Sequence, residues 1–236
     1  TSLTRKVDQL KNKTAITIGL VLALGTFNTI SAQGTFPIDS IPVIDQVHAD
    51  SFGQILVQDF KGRIKPVNTM ASEIVRKISR KRELFGQDPV QVFIGMISYP
   101  EIWQEVPMIK LSHEGVGELI GRKGEAAAFV DFFDKSGKYL LFSEIENANQ
   151  LKPAERSTYH KELIKVDERL NVTNYVLGTG LLKIYPRETP GDTHWDAPID
   201  ILKSGPDVKN NIFTEKWFSG YIQYVREAGT TGEWNQ

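Results

Sequence analysis

Apolar positions recur at helical spacing along most of the chain, but near its start they form one unbroken block. Residues 14–38 carry no charge, and residues 15–25 are the apolar heart of that run. Arg5, Lys6, Lys11 and Lys13 precede it, against the single acid Asp8. Such a run can cross a hydrocarbon core of ~30 Å. It also fits a signal peptide, with Ile30-Ser31-Ala32 as a rough cleavage box. Thr26, Asn28, Thr29 and Ser31 make its second half polar for a span. Both readings leave the basic flank 1–13 in the cytoplasm and put the chain from about Phe36 onward outside it. The expected organisation is a basic flank (1–13), a transmembrane or signal segment (14–36) and an extracytoplasmic domain (37–236) truncated at its C-terminus.

Within the domain, the pattern predicts mainly helices with a few short strands, an α+β class. Residues 36–42 read as an extended linker, because Pro37 and Pro42 disfavour a helix. The β-branched run 53–60, the Lys61-Gly62 turn and the run 63–67 predict a β-hairpin, with Pro66 at an edge or a strand end. Asn68 or Thr69 is placed to cap a helix running to Arg82. Its apolar face is Met70, Ala71, Ile74, Val75 and Ile78, and its polar face is Arg76, Lys77, Arg80 and Lys81. Asp88 is expected to cap a helix from Pro89 to about Gln104, broken or kinked at Pro100. A strand at 107–111, a helix from Ser112 stopped by Gly121, and a short helix over 125–133 follow. The longest helix is expected to start at Pro153. Its seam is Tyr159, Leu163, Val166, Leu170, Thr173 and Leu177, read as core packing rather than a zipper. A strand at 181–186, a loop at 187–200 and a last helix from Val208 or Thr214 to Ala228 complete the pattern.

Composition then narrows the chemistry. The 236 residues carry a net charge of −1, so there is no global basic excess and no case for nucleic acid. The chain has no cysteine, which excludes disulfides, thiol catalysis and covalent haem attachment to this chain itself. No phosphate loop, GxSxG elbow or HExxH motif is present. His48, His113, His160 and His194 lie far apart, without metal-ligand spacing. The expectation is therefore no catalytic residue and no metal site, with His48 and His194, both placed in loops, as the less ordinary histidines. The most polarised stretch is 61–82, with eight basic residues and one acid. Arg76, Lys77, Arg80 and Lys81 form a possible interaction face for anionic lipid headgroups or an anionic ligand such as haem propionates, or else an ordinary solvated helix face. Trp103, Trp195, Trp217 and Trp234 are scattered, and all four could be core anchors.

Longer words carry a family resemblance. His48-Ala49-Asp50-Ser51-Phe52-Gly53-Gln54-Ile55-Leu56-Val57-Gln58-Asp59, followed by Lys61-Gly62-Arg63-Ile64-Lys65-Pro66-Val67-Asn68-Thr69, resembles the opening of the periplasmic domain of system II cytochrome c synthetases. These are the fused CcsBA (ResB/ResC) haem lyases, in the large form of Bacteroidetes. Tyr99-Pro100-Glu101-Ile102-Trp103 with Val106-Pro107-Met108-Ile109-Lys110 resembles the same form. So do Lys165-Val166-Asp167-Glu168-Arg169-Leu170-Asn171 and Leu181-Leu182-Lys183-Ile184-Tyr185-Pro186, in the same order. The resemblance covers about residues 45–236. It implies that the full-length protein is a polytopic inner-membrane holocytochrome c synthase that uses haem. Its partners would be a CxxCH-bearing apocytochrome c, the membrane and the remaining membrane part of the synthetase. The tryptophan-rich WWD segment and the transmembrane histidines of that family are missing here, so its haem ligands do not transfer. His48 is left as the candidate for cofactor contact, although it matches no haem-ligand motif. The implied role is a periplasmic scaffold or apocytochrome-docking module that lacks the catalytic centre and binds no haem alone. The alternatives are a secreted binding protein and a hydrolase whose site assembles from distant residues.

Overall fold

The computed structural model of the chain describes residues 36–187, 191–203 and 208–234. The flank 1–13 and the apolar segment up to residue 35 lie outside these, so the expectations placed on them are not addressed. No helix among the described residues is long and apolar enough to cross a membrane. The described residues are mainly helical and form three two-stranded antiparallel sheets, which is the α+β class expected.

One helix organises the rest. Helix α3 (Pro89–Ser98) is buried at every position from Val90 to Ser98. A helix apolar on all sides belongs in the middle of a core. It packs against α1 (Gln46–Phe52), α2 (Val67–Ser79), α7 (Thr158–Leu177) and α9 (Val208–Thr231). Asp88 caps it as expected, accepting from the backbone N–H of Val90 and Gln91, while the Gln91 side chain accepts from the Asp88 N–H. This capping box satisfies the first free donors of the helix. The helix ends at Ser98, and Pro100 opens a separate short helix, α4 (Pro100–Trp103).

Several expected boundaries move, each for a local reason. The linker holds a 3-10 turn, Ile38–Ser40, with Pro37 at its N-cap. The hairpin is present as β1 (Leu56–Gln58) and β2 (Ile64–Pro66), with Pro66 ending the second strand. Its loop is built on Asp59, whose carboxylate accepts from the Lys61 and Arg63 N–H groups. Neither Asn68 nor Thr69 caps α2. Strand β2 runs directly into the helix, and the Val67 and Asn68 N–H groups are taken by the carbonyls of Ile55 and Gly53. With those donors satisfied by backbone, no side-chain cap is required. The helix stops at Ser79 rather than Arg82, because Arg80 adopts the left-handed conformation at φ 65°.

The expected strand over 107–111 narrows to β3 (Ile109–Lys110). The helix expected over 125–133 is absent. Ala126–Ala127 forms β4 against β3, and Phe129–Phe132 is a 3-10 turn whose phenylalanines serve the core. Between them α5 (Glu114–Leu119) is capped by His113, not Ser112, and Gly121 (φ 67°) turns the chain out of it. Helix α6 (Phe142–Gln150) was not expected. Helix α7 starts at Thr158, not Pro153, because Ser157 and His160 form its capping box. Along its seam Leu163, Val166, Leu170 and Thr173 are buried, in agreement with a core role. The expected strand over 181–186 shortens to β5 (Tyr185–Pro186). Its partner, β6 (Trp195–Asp196), and helix α8 (Pro198–Lys203) lie where a loop was expected. The last helix runs three residues beyond Ala228. Of the tryptophans, Trp103 is fully buried, Trp195 and Trp234 are half-buried, and Trp217 is exposed, so the expectation of four core anchors fails.

Candidate functional site

His48 lies in helix α1, not in a loop. Asp45 starts the helix by accepting from the His48 N–H at 2.9 Å. The imidazole Nε2 sits 3.1 Å from the Tyr221 hydroxyl on α9. Around it stand Tyr221, Tyr224 and Trp234, with ring centroids 5.8, 5.6 and 5.1 Å away. Phe52 and Trp217 extend the stack through Tyr221. The histidine thus fills the centre of an aromatic cluster that joins α1 to α9. Its Nε2 is already engaged with Tyr221, so a metal or haem iron approaching that nitrogen would have to displace the contact first.

Burial among these rings lowers the His48 pKa from its ordinary 6.5, against the opposing pull of Asp45. Burial also raises the Tyr221 pKa, with Tyr224 adding to it. The neutral imidazole is therefore the form that fits. The unfolded chain takes up the proton first as pH falls below 6.5, so stability declines there and levels off below the folded pKa. We expect His48→Gln to flatten that part of the stability–pH curve. Denaturant unfolding at a series of pH values checks this, and an unchanged slope would assign the pH dependence elsewhere.

The other three histidines have local structural tasks. His113 accepts from the Gly115 N–H at the start of α5, and His160 belongs to the α7 capping box. His194 Nδ1 is 2.7 Å from Asp192, on a shallow open cleft shared with Lys183, Arg187, Trp195 and Asp200. Arg187 bridges Asp192 and Asp196 across that cleft. No group of three or more His, Asp or Glu side chains among the described residues is arranged to hold a metal ion.

The four basic positions do not share one helix face. Arg76 is exposed on the last turn of α2. Lys77 is ion-paired to Glu168 of α7 at 2.5 Å. Arg80 is the C-cap, and Lys81 follows in the turn. Further back, Lys65 pairs with Glu73 and Arg63 with Asp59. Three of the eight basic residues in 61–82, Arg63, Lys65 and Lys77, are thus ion-paired at close range.

The words that carry the family resemblance meet in space as fold-fixing contacts. Gln58, in the first word, donates from its N–H to the carbonyl of Lys183, in the last word. Its side chain donates to Thr193 O at 2.7 Å and accepts from the Trp195 N–H at 2.8 Å. Gln58→Leu should free the 181–196 segment before the rest of the domain opens. Hydrogen exchange would then show faster exchange confined to that segment, whereas uniform protection would refute the local role. In a second pairing, Arg169 donates to the carbonyl of Lys110 and to Glu162, and Glu162 accepts from the Ser112 N–H. In a third, the Tyr99 hydroxyl donates to Val225 O, and Arg226 binds both Ser98 O and Glu101. Sequence reading had no means to see these pairings, whose partners are separated by 7 to 137 positions.

No family model matches the chain. Protein NrfI of Wolinella succinogenes is 42% identical over 144 residues, which is 61% of this chain. The match spans only 16% of NrfI, so the chain corresponds to a small part of that relative's length.

Proposed function

We propose that this chain serves cytochrome c maturation as the periplasmic docking or scaffold domain of a membrane haem lyase of the fused CcsBA type, of which it is a fragment. The 42% identity to NrfI over 144 residues is the observation that carries the maturation reading. The family words quoted above support the finer assignment, and they pack in two pairs, the first against the last through Gln58 and Lys183 and the second against the third through Lys110 and Arg169. In this reading the membrane part of the synthetase holds haem and performs thioether formation. The present domain receives the CxxCH segment of apocytochrome c and positions it on the periplasmic face of the inner membrane. The absence of cysteine suits that task, since a thiol here would compete with the substrate's own thiols.

The test is holocytochrome c yield in cells that depend on the full-length protein. Replacing residues 37–236 by a flexible linker should lower covalent haem attachment at least tenfold while the membrane part still accumulates and still binds haem. Undiminished yield would remove the docking role.

A further inference from the structure

The end of the domain formed by the α2–α3 connection carries two features that the docking role leaves unused. The first is a basic turn. Arg80, Lys81 and Arg82 are all exposed, and no hydrogen bond or ion pair holds their side chains among the described residues. Arg80 leaves the helix in a left-handed conformation, which throws this tripeptide away from the α2 axis. The second feature is the place where the chain enters the domain. Ile38, Val43 and Val47 are 54, 66 and 51% exposed there, and the uncharged run 14–38 leads directly into them.

The connection that bears the basic turn is fastened to the entry segment at its other end. Gln87 Nε2, at the far end of the connection, donates to Pro42 O at 3.2 Å. Gln91 Nε2 donates to Ile44 O at 2.5 Å, and Gln46 Nε2 donates to Asp88. The acids of this end are largely committed. Asp45 and Asp88 are helix caps, Asp50 accepts from Gln46, and Glu125, near Lys81, is paired with Lys110. Asp39 and Glu83 remain as exposed carboxylates.

We propose that this end of the domain rests on the bilayer surface. Ile38, Val43 and Val47 enter the headgroup layer, and Arg80, Lys81 and Arg82 contact anionic phospholipid headgroups. Aliphatic side chains beside Lys and Arg are the combination that interfacial binding uses, one part through buried apolar area and the other through the negative surface potential. Covalent continuity with an uncharged run of membrane-spanning length puts that surface within reach. The proposal rests on the membrane-attached reading of the chain but not on its cytochrome chemistry.

The cysteine-free sequence permits a clean test. The full chain carrying Val47→Cys is labelled with a polarity-sensitive fluorophore and reconstituted into vesicles of phosphatidylcholine with or without phosphatidylglycerol. Phe142→Cys on α6, also exposed, is labelled in parallel. The expected result is a blue shift at position 47 that is larger with phosphatidylglycerol, falls with salt and is absent at position 142. Changing Arg80, Lys81 and Arg82 together to Glu, or to Asn, Gln and Gln, should reduce the salt-sensitive part of the shift roughly fivefold or more. An unchanged unfolding midpoint shows that these variants still fold. Vesicle association with no shift at position 47, or with equal shifts at both positions, overturns the proposed face while leaving membrane attachment intact. Failure to associate with vesicles at all overturns both. A shift that needs an added acidic protein rather than phosphatidylglycerol reassigns the basic turn to a protein partner and also overturns it.

Discussion

Arg169→Leu should destabilise the domain by about 3–5 kcal/mol, among the largest effects of any single substitution. Arg169 is 2% exposed, and its guanidinium donates to Glu162 at 2.7 Å and to the carbonyl of Lys110. Glu162 is equally enclosed and accepts from the Ser112 N–H at 3.0 Å. The pair therefore does more than neutralise itself. It pins α7 to β3 and to the start of the α5 segment through two partly buried backbone groups, the Lys110 carbonyl and the Ser112 N–H. Removing the arginine leaves the buried Glu162 carboxylate with only the half-exposed Lys165 at 4.0 Å as a counter-charge, and leaves the Lys110 carbonyl without this donor, and each carries its own desolvation cost. The double variant Glu162→Leu/Arg169→Leu should cost less than the sum of the two single changes, because no lone charge remains. Urea unfolding of the three variants measures this coupling. A double variant as unstable as the sum would mean that the two side chains act independently.

Trp103→Ala should cost about 3–5 kcal/mol by opening a cavity in the centre of the core. Trp103 is completely buried and stacks its indole on the backbone of α3 at Gly95. A β-carbon at position 95 would sit 2.6 Å from the indole Nε1, closer than the ring can allow. Gly95→Ala is thus expected to destabilise by about 1–3 kcal/mol through overpacking, despite the better helix propensity of alanine. Adding Trp103→Phe should recover part of that loss, since the smaller ring withdraws the clashing atoms. Thermal unfolding of the single and double variants tests the point. A Gly95→Ala protein as stable as the parent would show that the indole has room to move.

How much of this could be read from the sequence depends on where the determining contact lies. Helix α3 was legible because Asp88, Pro89 and Gln91 form a local capping signal before a continuous apolar run. The α7 seam and the stop at Gly121 were legible for the same reason, being set within a few residues. The start of α2 was not. Its free N–H groups are taken by carbonyls of the 53–55 segment, so the side chains at 68 and 69 give a false cap. The helix expected over 125–133 failed because pairing with Ile109 and Lys110 outweighed the propensity of the alanines. The aromatic surroundings of His48 come from α9 and the Trp234 that follows it, 173 or more positions away, beyond any spacing rule. A helix signal for α1 does exist in Asp45 followed by a short run to Gly53. In the basic stretch 61–82, composition cannot show which cations are already paired: Lys65 and Lys77 hold Glu73 and Glu168, whereas Arg80, Lys81 and Arg82 stay exposed.

The central claim, that this domain receives a haem-free cytochrome, is most directly tested by calorimetric titration of the chain with an apocytochrome c bearing CxxCH and, separately, with the matured cytochrome. A docking domain that must release its product should bind the apo form at least tenfold more tightly than the haem-attached form. Equal affinity for the two forms, or no binding to either, would contradict the account.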